Sequence, residues 1–336
     1  MSGELPPGWG EISEEERHRL RSSHSVSLIN DMVRHQTGLV MPRLFALQLA
    51  ERIYNFSVRE EDIFVLSYPK TGTTWTIELV WTLINDVNIE ETKVPQMIRS
   101  PFLESHCVVN TEFLTSLGLR PDNEKLCEVL DDSIDHANKM TGRRVIKSHL
   151  PFELLPPKLL ETCKVIYVCR NPKDTAVSYY HHSMLIPGHS YTGNFHLFQQ
   201  FFKEGLYLFG SYWQHLLGGW TRRNHPNLKF LWYEDMKVDQ MGVIEDLSSF
   251  LHHPLSPQQK AALADHVDFN NMKKNPNTNP TAGVDLPPGK PDFIRKGKVG
   301  DWKNFFGEEE NALWDDWIRD NIAGTGLEEL DVFKTL

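Results

Sequence analysis

Cysteine is scarce in this chain. There are four among 336 residues, Cys107, Cys127, Cys163 and Cys169, and none forms a CxxC pair or falls in zinc-finger spacing. At this length a disulfide scaffold is not expected, and the four are read as reduced thiols. No apolar run approaches the roughly 20 residues of a membrane span. The opening stretch MSGELPPGWGEISEEERHRL is acidic and has no apolar segment of signal-peptide type. An excess of positive charge is also missing. The formal net charge is −10, which argues against a non-specific nucleic-acid binder. There is no HExxH and no other metal-ligand spacing, no internal repeat and no low-complexity tract. Asn55-Phe56-Ser57 matches a glycosylation sequon and is read as chance. The expectation is a soluble cytoplasmic protein with no membrane and no nucleic acid among its partners.

What is present is enough apolar residue, 40% with 11% aromatic, for a sizeable core. Residues 1–40 read as an N-terminal arm, of which 1–25 is charged, proline-containing and loosely held, with a short helix. From residue 62 short apolar runs alternate with amphipathic stretches. Ile63–Ser67, Arg144–Lys147, Lys164–Cys169 and Leu228–Tyr233 read as buried parallel strands. Thr74–Asn85, Asp174–Met184, Phe195–Lys203, Phe209–Arg222 and Gln240–Leu251 read as helices. The pattern predicts an α/β fold: one domain over 41–336, with a central parallel sheet flanked by helices. Residues 105–142 break the alternation, as a lid or as a surface excursion. Residues 272–299 are long and irregular. In parallel sheets, ligands bind at the carboxyl ends of the strands.

The first strand tip, SYPKTGTTW, is a strand–loop–helix corner. Gly72 permits a tight turn, Thr73 and Thr74 offer hydroxyls, and the first helical N–H groups have no intrahelical partner. Lys70 would approach an anion held there from the side, and Trp75 offers a flat ring. An ordinary turn with a surface lysine fits the same residues. In RVIKSHLP, His149 closes a strand with Lys147 two residues before it. That position suits a general base, and a structural histidine too. In VIYVCRNPKDTAVSYYHH, Arg170 ends a strand, Asp174 could cap the next helix and Ser178 lies one turn on. Arg170 suits a phosphate, or an ion pair with Asp174. Adjacent His181 and His182 face different ways and do not make a metal site. Tyr233 ends the strand of FLWYEDM, and FIRKGKVGDW sets Arg295, Lys296 and Lys298 about Gly297 and Gly300. Two anionic groups, an aromatic platform and a base are implied. The corner lysine precedes its glycine, unlike the nucleotide-triphosphate loop, and no Walker-B acid follows a strand.

These five motifs, in order from about residue 60 to 305, resemble the cytosolic sulfotransferase family. The resemblance implies a sulfotransferase-like fold related to P-loop NTPases. It implies 3′-phosphoadenosine 5′-phosphosulfate (PAPS) as donor, its desulfated form PAP as product, no metal, and a small-molecule hydroxyl acceptor. By matched position Lys70, Thr71, Gly72, Thr73 and Thr74 would hold the 5′-phosphosulfate. Trp75, Tyr233, Phe269 and Met272 would hold the base, and Arg170, Ser178, Arg295, Lys296 and Gly297 the 3′-phosphate. His149 would be the base, Lys70 and Lys147 would stabilise charge, and Phe102 would line the acceptor pocket. Val267 and Asp268 replace the family's Thr-Ser pair, and Asp268 is expected to point away from the nucleotide. The dimer motif keeps Lys303 but has Gly307, Glu308 and Ala312 at altered positions, so a homodimer stays open. The 105–142 insertion resembles that of an insect retinol dehydratase in the family, which adds elimination through a sulfated alcohol as the alternative reaction.

Overall fold

The computed structural model describes residues 4–25, 29, 31–109, 111, 115, 121–186, 188–286 and 288–334. Part of the 105–142 insertion therefore lies outside the described residues. The four apolar runs form a parallel sheet. Its strands are β4 (Ile63–Leu66), β5 (Val145–Ser148), β6 (Lys164–Cys169) and β7 (Leu228–Trp232), in the order β5-β4-β6-β7. Leu66 pairs with both Ser148 and Tyr167, and Cys169 with Trp232, so the carboxyl ends are brought side by side.

Alternation along the strands builds two cores, as a pleat requires. Ile63 and Val65 face the helices Thr73–Ile84 and Gln240–Phe250, packing with Ile77, Val80, Ile244 and Leu247. Phe64 and Leu66 face the larger core with Tyr68, Tyr179, Phe198, Tyr212 and Trp314. A buried ion pair anchors the amino end of the sheet. Arg144, fully buried, donates from Nε to Asp62 Oδ1 at 2.7 Å, and also to the carbonyls of Ser57 and Ala137. Ala137 belongs to the helix Ser133–Lys139, so this one guanidinium ties the end of the insertion to the sheet.

Residues 4–25 are packed rather than loosely held as expected of 1–25, and the short helix expected there is present. Trp9–Glu11 (β1), Met32–His35 (β2) and Val40–Pro42 (β3) form a separate antiparallel sheet. Leu20 of the helix Glu14–Ser22 is buried with Met32, Val40 and Met41. The helix expected from Phe209 starts at Tyr212 instead. Phe209 has φ +68° and Gly210 φ +64°, both left-handed. A Cβ on Gly210 would lie 2.3 Å from the Gly38 carbonyl, so the chain must turn there to pass the β2–β3 hairpin. The acidic run Glu308–Glu310 opens the helix Glu308–Ile322, where carboxylates suit the positive end of the helix dipole.

Candidate active site

The corner after β4 is strained where an anion would bind. Lys70 takes φ +69°, unusual for a side chain with a Cβ, and Gly72 takes φ +112°. The helix Thr73–Ile84 begins at Gly72 without a side-chain cap, so its first N–H groups point out of the corner unspent. Lys70 Nζ lies 4.5 Å from the centre of the Phe293 ring. Burial, with Lys147, Arg170 and Arg295 nearby, lowers its pKa to about 7. Thr71 turns inward: its hydroxyl donates to the Tyr68 and Val168 carbonyls, at 2.8 and 3.0 Å. Only its backbone is left to face a ligand.

His149 follows β5 directly and is 6% exposed. Its Nδ1–H donates to the Ser67 carbonyl at 2.7 Å, which fixes the tautomer and leaves Nε2 with its lone pair. Ser67 Oγ lies 3.2 Å from the same Nδ1 and 2.6 Å from Thr73 Oγ1, joining the imidazole to the helix start. Phe102 and Phe209 stand edge-on to the ring, with centroids 5.1 and 5.3 Å away. Burial first, then Lys147, holds the imidazole well below the ordinary histidine range. Lys147 Nζ lies 4.0 Å from the Phe102 ring centre, and burial lowers it to about 8.

The other tips converge on a second cationic group. Arg170 lies over the Tyr233 ring at 4.4 Å and donates to the Lys298 carbonyl at 2.9 Å. Its ion pair with Asp174 is long, 3.7 Å. Asp174 does not cap its helix, Pro172–Leu185; Asn171 does, accepting from Lys173 N–H. The Asp174 carboxylate instead accepts from the N–H groups of Gly300 and Trp302, at 2.7 and 3.0 Å, and so docks the 293–302 loop against Arg170. Asp301 takes Arg295 at 2.6 Å and Lys296 at 2.8 Å. Those pairs are the reason its own pKa falls to about 2 although burial opposes the fall. Trp75 and Tyr233 make an edge contact at 5.7 Å. Gly297 lies against the Phe269 ring. Ser178 is half-buried on the helix beyond Arg170, and Met272 is buried behind Phe269 with Leu263 and Val267. Asp268 caps the helix Phe269–Lys274, its side chain accepting from Asn270 N–H. His181 bonds its own helix at Val177, while His182 turns to His189 and Phe293.

Three groups around this crevice were not marked by the sequence. Ser67 holds the imidazole, Phe293 lies under Lys70, and Glu104 sits fully buried behind His149. The site also leaves three buried donors without a partner among the described residues: Arg170 Nε, Arg295 Nε and Trp75 Nε1. Buried donors left open are costly, and their cost is recovered by a ligand that accepts from them. An adenine nucleotide carrying two phosphate groups fits this set: an uncapped helix start, an aromatic bay and a pair of guanidiniums.

A family model described as the Sulfotransferase domain matches residues 60–326. The chain belongs to the sulfotransferase family. Luciferin sulfotransferase of Photinus pyralis is 37% identical over 292 residues, 84% of this chain and 77% of that protein. Human sulfotransferase 1E1 is 34% identical over 286 residues, 83% of this chain and 89% of its own length. Among solved structures, a retinol dehydratase in complex with androsterone and the inactive cofactor PAP superposes with a TM-score of 0.84. It is 32% identical and covers 96% of this sulfotransferase and 98% of its own chain. No helix among the described residues is long and apolar enough to cross a membrane.

The tight corner gives a first test. In this sulfotransferase a Cβ on Gly72 would sit 2.8 Å from Tyr233 Cδ2. Gly72→Ala is expected to cost about 1–3 kcal/mol of stability, through backbone strain and overpacking. It is also expected to weaken PAP binding, measured by thermal melts and calorimetry. A melt and an affinity equal to the wild type would show that the corner yields freely.

Proposed function

We propose that this sulfotransferase moves a sulfuryl group from PAPS to the hydroxyl of a small apolar or phenolic acceptor in the cytoplasm. The observation that carries the reading is the His149 tautomer. Nδ1 is spent on Ser67, so Nε2 is free to accept a proton beside two half-buried lysines, Lys70 and Lys147. Lys70 with the N–H groups of residues 71–74 would hold the 5′-phosphosulfate, and the hydroxyls of Thr73 and Thr74 would flank it. Trp75, Tyr233 and Phe269 would bracket the adenine, with Met272 supporting them. Arg170, Ser178, Arg295, Lys296 and the Gly297 backbone would take the 3′-phosphate. When bound, the donor supplies a sulfuryl group on a phosphate leaving group. His149 Nε2 would take the acceptor's hydroxyl proton as its oxygen approaches sulfur. Lys70 would neutralise charge arriving on the bridging oxygen, and Lys147 would face the sulfuryl oxygens. Phe102 and Phe209 give the base an apolar surround, which fits a greasy acceptor, and residues 105–142 are read as its lid.

The retinol dehydratase neighbours, with TM-scores of 0.84 and 0.83, favour one second reading. In it the sulfated alcohol goes on to lose sulfate. Incubation with ³⁵S-labelled PAPS and a panel of phenols, amines, steroids and retinoids tests both. A labelled ester of intact mass supports transfer as the end point. Labelled inorganic sulfate with a product one water lighter than the acceptor supports elimination. Release of no label in the presence of any acceptor would refute both.

A further inference from the structure

We propose that Glu104 is a positioning residue for the transfer step. Its carboxylate fixes the turn that presents His149 and supplies negative charge beside Lys147. The inference rests on the reading above, since it gives Glu104 a part in the same site.

Residues 101–104 run along the open edge of β5. Lys147 N–H donates to the Pro101 carbonyl at 2.9 Å, Leu103 N–H donates to the Lys147 carbonyl at 3.1 Å, and Phe102 bridges Lys147. Glu104 is thereby carried behind the strand tip, fully buried. Its Oε1 accepts from the Ser148 hydroxyl and from His149 N–H, the latter at 3.2 Å. Ser148 Oγ accepts in turn from Leu150 N–H at 3.0 Å. One carboxylate oxygen thus organises three consecutive residues, the middle one being the candidate base. Neutral glutamine could accept the same two bonds, so hydrogen bonding alone does not call for a carboxylate. The other oxygen, Oε2, is buried with no partner among the described residues. Leaving an ionisable oxygen so is costly unless its charge is used.

Lys147 is where the charge is felt. Burial lowers its pKa to about 8 and Glu104 opposes that fall. Burial raises Glu104 to about 7, against the Ser148 bond, Lys147 and the His149 N–H. The groups facing this pair are few. Cys107, on the short helix Ser105–Val108, is held well above the thiol range by burial and by Glu104. Lys70 from the corner, His149 just after β5 and His182 from the helix Pro172–Leu185 all feel the Lys147 charge. Glu104 is the carboxylate that acts on Lys147, against the pull of burial.

Three full-length proteins test the idea: wild type, Glu104→Gln and Glu104→Ala. Each is measured for kcat from pH 6 to 10, for PAP affinity at pH 6.5, and for Lys147 protonation by competitive acetylation read by peptide mass spectrometry. A protonated Lys147 serves the reaction, and loss of the nearby negative charge lowers its pKa. Activity in Glu104→Gln should therefore fall off at a pH lower by about one unit or more. The acetylation midpoint should move with it. Near pH 6, where Glu104 itself takes up a proton, Gln and wild type should converge, with equal PAP affinity. Glu104→Ala loses the turn as well, and its kcat should be low at every pH. A Gln variant whose profile and acetylation midpoint overlay the wild type would overturn the proposal. So would Gln and Ala variants that lose kcat and PAP affinity in parallel. If the midpoint moves but the wild type neither binds PAP nor transfers sulfur, the pairing stands and the sulfuryl-transfer reading fails.

Discussion

Replacing His149 by alanine is expected to lower kcat by about 10²–10⁴-fold, the range for loss of a positioned general base. PAP affinity should stay close to that of the wild type. The imidazole meets Ser67, Phe102 and Phe209, and its free nitrogen is not committed to any group proposed to hold the nucleotide. Folding should survive, because the main bond lost is one to a carbonyl, worth about 1 kcal/mol. The pH dependence adds a sharper check. The base must be unprotonated, and a depressed pKa keeps it so to lower pH. The acidic fall in kcat/KM should therefore lie well below the pH of about 6.5 at which an ordinary histidine titrates. An alanine variant turning over at near wild-type rate would remove His149 from the reaction. One that lost PAP binding in step with kcat would make it a structural residue.

The parts of this site that could be read in the sequence are those that sit at ends of strongly patterned elements. Ile63–Leu66, Val145–Ser148, Lys164–Cys169 and Leu228–Trp232 are apolar runs that stop at polar residues, and each stop is a strand tip. Lys70, His149, Arg170 and Tyr233 stand at or just beyond those tips, which marks them as candidates, while their roles come from the family resemblance. What could not be read depends on partners distant in the chain. Glu104 stands in SPFLE among residues that read as pocket lining, and its meaning comes from Ser148 and His149, more than forty positions on. Asp174 has the spacing of a helix cap. It gives that place to Asn171 because the 293–302 loop, docked from far along the chain, offers it two N–H groups. The β1–β3 sheet escaped for a different reason. Strands of three and four residues, one of them Trp-Gly-Glu, are too short for a period-two pattern to show.

Lys70→Ala is expected to lower kcat by about 10²–10³-fold, as removal of one donor aimed at developing charge does in comparable sites. KM for the donor should change less. The structure gives the lysine more than proximity. It is held in a left-handed conformation that the corner must pay to maintain, and its ammonium is set over Phe293 rather than tied to an acid. No carboxylate competes for it among the described residues, so the charge is available to a ligand. The same setting makes a prediction for binding. With a pKa of about 7 in the free protein, much of Lys70 is neutral at pH 8, and an anionic nucleotide favours its charged form. PAP binding should therefore take up protons above pH 7 and weaken as pH rises through that value. Calorimetry in buffers of different ionisation enthalpy measures the uptake directly. In Lys70→Ala the uptake should shrink to the part left to Lys147, whose pKa of about 8 places it later in the same titration. A variant with an undiminished proton uptake, or with its defect confined to donor KM, would make Lys70 a binding residue and leave the charge on the departing phosphate to other groups.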